Sequence, residues 1–107
     1  MLISFFRTNH SIPDSFGLAI LTKLGYIIHT GDFKFDFTPL GPQSDYHKLT
    51  NYSRKGVLLL LSDSTNATVT TFSPSEKKIS VSIRSIFSQI KGRIIVATFA
   101  SNVYRVQ

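Results

Sequence analysis

The chain has 107 residues, 42% hydrophobic and 17% charged, which fits one small globular domain and excludes a disordered or fibrous chain. It has no cysteine, which excludes disulfides and thiolate metal sites, so any metal must be held by histidine and carboxylate. Lys and Arg number 12 against 6 acids, a formal charge of +6 that suits a polyanionic partner such as RNA, although the basic residues are scattered and form no tail.

Residues 2–6 (LISFF) predict a strand entering a turn that contains His10, Ile12, Pro13 and Asp14. Residues 16–21 and 25–29 flank Thr22-Lys23-Leu24-Gly25 and predict a hairpin, with the glycine where positive φ is needed. Residues 30–42, rich in Gly, Pro and Asp, read as loop, and residues 45–52 as a short helix. The apolar run 57–61, bounded by Gly56 and Ser62, predicts a strand buried on both faces. That run is far too short to cross a bilayer, and the N-terminus has no signal-peptide pattern. Residues 66–72 are polar and β-branched, the composition of a linker or loop.

Ser73-Pro74-Ser75-Glu76 has the form of a capping box, with Ser73 as N-cap, Pro74 at the first helical position and Glu76 at the third. Ile79, Ile83, Ile86, Phe87 and Ile90 then share one face of an amphipathic helix that Gly92 is expected to end. Residues 93–99 predict another apolar strand, stopping at Ala100-Ser101-Asn102. Strand, helix and strand at this spacing predict a βαβ unit, so the fold class is α/β and binding loops belong at the carboxyl ends of strands.

The titratable groups carry no local metal motif: there is no H-x-H, H-E-x-x-H or Glu-x-x-His pair. His10, Asp32 and Asp63 each lie just past a predicted strand, which allows them to converge at one edge of a sheet. Their plainer roles are turn and cap residues for Asp32 and Asp63 and a solvated loop residue for His10. Asp14 and Asp36 read as turn formers, His29 as a half-buried structural histidine and His47 as a surface residue.

Five blocks, FFRTNHSIPDSFG, IIHTGDFKFDFTPLG, GVLLLLSDSTNA, FSPSE and GRIIVATFASNVYRVQ, resemble successive segments of the ribonuclease J family. That family is the bacterial and plastid RNA-degrading β-CASP branch of the metallo-β-lactamase fold, and the resemblance covers nearly the whole chain. It implies part of a metallo-β-lactamase αβ/βα sandwich, the C-terminal part of its first half, over residues 1–70. The first βαβ of a β-CASP domain would then start over residues 71–107. The family holds two zinc ions with an H-x-H-x-D-H motif, a lone histidine, a bridging aspartate and a final histidine far downstream. The resemblance implies that His10 is the lone histidine and Asp32 the bridging aspartate, and that Asp63 in SDSTN is a catalytic residue near the metals that supports a ligand or handles a proton. Ser101 and Asn102 would contact RNA phosphate, while Tyr104 stands where the family usually has histidine. Imidazole and carboxylate suit zinc, and a carboxylate can span two ions about 3.5–4 Å apart.

The implied activity is a zinc-dependent ribonuclease, a 5′ exonuclease and endonuclease on single-stranded RNA in RNA processing and decay. The implied setting is the cytoplasm or plastid stroma, with no membrane partner and a homo-oligomer or complex for the full-length protein. The H-x-H-x-D-H motif would precede Met1 and the later histidines would follow Gln107, so the chain is expected to be an internal piece, inactive alone. The alternative is a non-catalytic RNA-binding or subunit-contact remnant. A metallo-β-lactamase hydrolase of small thioesters or lactams would lack the SDSTN block ahead of a capped helix.

Overall fold

The computed structural model describes residues 1–106. Four strands form one sheet in the order β1-β2-β3-β4. The first, β1 (Leu2–Arg7), pairs antiparallel with β2 (Phe16–Leu21), with Phe5 opposite Leu18 and Arg7 opposite Phe16. The predicted hairpin joins β2 to β3 (Tyr26–His29): the Thr22 amide and hydroxyl both donate to the Gly25 carbonyl, at 3.0 and 2.7 Å. Gly25 has φ +140°, where only glycine is comfortable.

Helix α1 (Tyr46–Lys55) then crosses over to β4 (Val57–Leu61), which pairs parallel to β3. The parallel pair predicted from spacing therefore exists one unit earlier in the chain, as β3-α1-β4. Because β1 and β3 are each antiparallel to β2, the strands β1, β3 and β4 all run the same way, and their carboxyl ends share one edge.

Side chains alternate across this sheet. One face carries Phe6, Ala19, Tyr26 and Ile28, all buried under Tyr52 of α1. The Tyr52 ring lies edge-on to Phe6 with centroids 6.1 Å apart and against Tyr26 at 4.8 Å, and its hydroxyl lies 3.1 Å from Ser4 Oγ. The opposite face is an apolar row, Ile3, Ile20, Ile27 and Leu59, standing side by side across the four strands. Among the described residues nothing covers Ile3 or Leu59, which are 47% and 46% exposed.

That openness corrects the expectation that residues 57–61 are buried on both faces. The segment is a strand, but it lies at the edge of the sheet and every residue in it is exposed. Its continuous apolar run matches a strand meant to be covered on both faces, and no element among the described residues supplies that cover.

Asp45 precedes α1, yet its side chain caps no helical N–H. Its carboxylate instead accepts from the Arg7 amide at 2.9 Å and from Lys48 Nζ at 2.9 Å. The Arg7 N–H, more than the Lys48 cation, holds the Asp45 carboxyl below its ordinary 3.8. A depressed acid stabilises the fold above its ordinary pKa, and that contribution is lost as the pH falls through the lowered value. The stability gap between the native chain and Asp45→Asn is therefore expected to be full at pH 7 and to shrink as the pH falls from 3.8 through the lowered value, as read by thermal melting across pH.

Past residues 66–72, which are irregular as predicted, α2 runs Glu76–Gln89. Its N-cap is Ser75, whose hydroxyl accepts from the Lys78 amide at 3.3 Å, not Ser73, so Glu76 is the first helical residue instead of the third. Ile90 caps the other end, and Gly92 lies beyond it. No residue of α2 is buried; Ile86 and Phe87 of its apolar face are exposed. Residues 93–99 join no ladder, so the strand expected there does not form and the second βαβ unit does not close. An apolar run becomes a strand only when it pairs with an edge, and residues 93–99 pair with neither free edge of this sheet, that of β1 or that of β4. The chain consequently measures 63 × 27 × 22 Å with a radius of gyration of 17.4 Å, against about 13 Å for a compact domain of this length. A four-residue helix, α3 (Val103–Val106), follows, with Tyr104 lying against Gly41.

Candidate functional site

Arg7, His29 and Leu61 close the three co-directional strands, and His10, Asp32 and Asp63 follow them by two or three positions. The topology therefore delivers all three predicted residues to one sheet edge, and hydrogen bonds tie their loops together. The Asp32 carbonyl accepts from Thr8 Oγ1 at 3.3 Å and from Ser15 Oγ at 3.1 Å, one on each side of His10. The Lys34 amide donates to the Asn9 carbonyl at 2.7 Å, making an antiparallel bridge next to His10. On the far side, the Asp63 amide donates to Thr30 Oγ1 at 3.0 Å and the Thr30 amide to the Leu61 carbonyl at 3.0 Å.

The turn that presents Asp32 depends on Gly31. Its φ is +59°, and a Cβ there would come within 2.7 Å of the Phe16 carbonyl oxygen. His29, exposed and not half-buried as expected, shapes the same turn by accepting the Gly31 amide on Nδ1 at 3.0 Å. Gly31→Ala is expected to lower stability by about 1–3 kcal/mol through left-handed strain and the Phe16 contact. Chemical denaturation reads this, and an unchanged midpoint would contradict it.

The side chains differ in how committed they are. Asp32 is exposed, and among the described residues no hydrogen bond or ion pair engages its carboxylate. His10 is half-buried, and among the described residues the hydrogen-bond partner of its ring is Ser11 Oγ, 3.4 Å from Nδ1. Asp63 Oδ1 accepts from the Thr65 amide at 2.9 Å and the Thr65 hydroxyl at 2.7 Å. Those two donors, with a smaller contribution from the His10 ring, hold the Asp63 carboxyl below its ordinary value. Asp63 is therefore ionised at neutral pH and accepts hydrogen bonds without donating one.

Zinc takes imidazole nitrogen and carboxylate oxygen. His10 and Asp32 offer both, uncommitted and on adjoining loops. No group of three or more His, Asp or Glu gathers closely enough to hold a metal among the described residues. The donors of this chain fit part of a zinc site.

The other predicted positions divide. Asp14 and Asp36 are turn formers as expected: Asp14 has φ +56°, and Asp36 Oδ1 accepts from the Thr38 amide at 2.9 Å. His47 is on the surface. Ser101 and Asn102 precede α3 and make no hydrogen bond to His10, Asp32 or Asp63 among the described residues; Asn102 Nδ2 lies 3.3 Å from Thr98 Oγ1. With residues 93–99 outside the sheet, these two do not share its carboxyl edge. Sequence reasoning missed Asn9, whose amide, side chain and carbonyl bind Ser44, Pro42 and Lys34 and so anchor the residue before His10. Its place between a strand end and the histidine was the available signal.

No family model matches the chain. Curated relatives do. The chain is 54% identical over its whole length to "Ribonuclease J 1" of Streptococcus pyogenes, and 51% and 48% identical over 98% of its length to "Ribonuclease J" of a Synechocystis strain and of Helicobacter pylori. It spans 15–19% of the length of these relatives. The sheet and its crossover helix make a mixed α/β segment, and the proteins it is similar to are of the metallo-β-lactamase class. Within that class, the chain matches a segment of ribonuclease J.

Proposed function

We propose that this chain is the part of a metal-dependent ribonuclease that contributes His10 and Asp32 to a two-zinc site, the remaining ligands coming from sequence outside it. The observation that carries the reading is the placement of those two uncommitted side chains on loops bonded to each other at the carboxyl edge of β1 and β3. Zinc bound there would supply an activated water and charge stabilisation for phosphodiester hydrolysis. His10 would ligate as a neutral imidazole, and Asp32 would offer both oxygens from a turn fixed by Gly31. Asp63, kept ionised by Thr65, would orient a proton or a neighbouring ligand as an acceptor. Ser101 and Asn102 are where we place contacts to RNA phosphate, with hydroxyl and amide as donors. The substrate is single-stranded RNA, cleaved from the 5′ end and internally in processing and decay, in the cytoplasm or plastid stroma.

On this reading the domain change falls near residue 70, in the irregular segment before α2, and the isolated chain is inactive because two donors cannot hold a catalytic zinc. The absence of a three-donor cluster among the described residues also favours a second reading, a non-catalytic RNA-binding or subunit-contact remnant. Zinc analysis and hydrolysis of 5′-labelled single-stranded RNA by the intact protein, with and without chelator, separate the two. Stoichiometric zinc and chelator-sensitive cleavage support the enzyme, whereas RNA binding without zinc or cleavage supports the remnant.

A further inference from the structure

We infer that Lys34 and Glu76 form a latch through which helix α2 sets the spacing of the His10 and Asp32 loops, making both positioning residues for that site. The inference rests on reading His10 and Asp32 as the working pair. Helix α2 buries no residue, so apolar packing does not fix it to the sheet. Polar contacts at its first turn do. Lys34 Nζ donates to Glu76 Oε1 at 3.0 Å and to the Pro74 carbonyl at 2.8 Å, and the Glu76 amide donates to Asp36 Oδ2 at 2.8 Å. The Lys34 and Glu76 side chains are only 22% and 17% exposed, so solvent screens the pair less than it does a surface ion pair.

The same Lys34 carries the main-chain bridge to Asn9 and lies two positions after Asp32 on the same loop. Asn9 in turn is clamped to Ser44 by three hydrogen bonds of 2.7–3.1 Å, so it cannot move independently of the loop before α1. A displacement of α2 at Glu76 therefore pulls on Lys34, and Lys34 pulls on the backbone between Asp32 and His10. A stiff two-ended contact of this kind transmits position, which a solvated loop would absorb.

Hydrogen exchange read by mass spectrometry on the intact protein tests this, using peptides spanning residues 7–12 and 31–38. Glu76→Gln is expected to speed exchange in both peptides by about tenfold, the scale of one charge-assisted hydrogen bond, and Lys34→Met, which also loses the Pro74 carbonyl, by at least as much. Lys34→Arg, which keeps the cation, should stay near the native rate. The double variant should be no faster than Lys34→Met alone, because that change already removes the Glu76 contact together with those to Pro74 and Asp36. In a protein that cleaves RNA, the two single variants should also lower kcat with KM unchanged. Faster exchange confined to α2, with peptide 7–12 unmoved, overturns the inference, as does an additive double variant. The exchange readout needs no metal or RNA, so absent cleavage in the native protein would defeat the ribonuclease reading and leave this test standing.

Discussion

Replacing Asp36 with alanine is expected to lower the unfolding free energy by about 3–5 kcal/mol, the scale for removing one partner from a buried charged network. Only 1% of the Asp36 side chain is exposed. One carboxylate oxygen accepts the Thr38 amide at 2.9 Å, and the other accepts the Glu76 amide at 2.8 Å with Lys34 Nζ 3.9 Å away. Alanine would leave two N–H groups without a partner at the joint between the loop and α2, and each orphaned donor costs roughly 1–3 kcal/mol. Asp36→Asn keeps one acceptor oxygen and the side chain's shape, so it should lose less and still fold. Asp14→Ala is the contrasting case. Asp14 pairs with Arg7 at 2.9 Å but its side chain is 75% exposed, which puts that loss at about 0–1 kcal/mol. Urea unfolding of the three variants orders them, and a loss for Asp36→Ala no greater than that for Asp14→Ala would contradict the structure.

His10→Ala and Asp32→Asn should each reduce RNA hydrolysis by the intact protein more than about 100-fold, since even outer partners of metal ligands account for roughly 10–100-fold. Neither change should unfold the chain. Asp32 is held through its carbonyl, which asparagine keeps, and no bond engages its carboxylate among the described residues. Zinc content should fall with the rate in both variants. Asp63→Asn should instead lower the rate and spare the metal, because the Asp63 carboxylate is occupied by Thr65. His47→Ala, on the exposed side of α1, provides the control for removal of a histidine. Full activity in His10→Ala would remove the enzymatic reading.

The elements that sequence made legible are those set by local chemistry. The hairpin at Gly25, the strand at residues 57–61 and the existence of α2 follow from turn residues and apolar periodicity within a few positions. The placement of His10, Asp32 and Asp63 just past strand ends was legible in the sequence. Only the topology, with β1, β3 and β4 co-directional, shows that the three ends share an edge. What escaped depends on distant partners. The start of α2 shifts to Ser75 where Asp36, far upstream, accepts the Glu76 amide. Residues 93–99 have strand composition but pair with neither free edge of the sheet, and the run at 57–61 looks buried because its apolar side chains suit cover that the described residues do not provide. Asp45 looked like part of a helix start, but Arg7 and Lys48 take up its carboxylate.

Titrating zinc into the intact, zinc-stripped protein while following the imidazole nitrogens of His10, His29 and His47 by NMR tests the central claim most directly. The account predicts that the His10 ring responds first and that Asp32→Asn abolishes the response. An unmoved His10 ring, or a His10 response indifferent to Asp32→Asn, would contradict it.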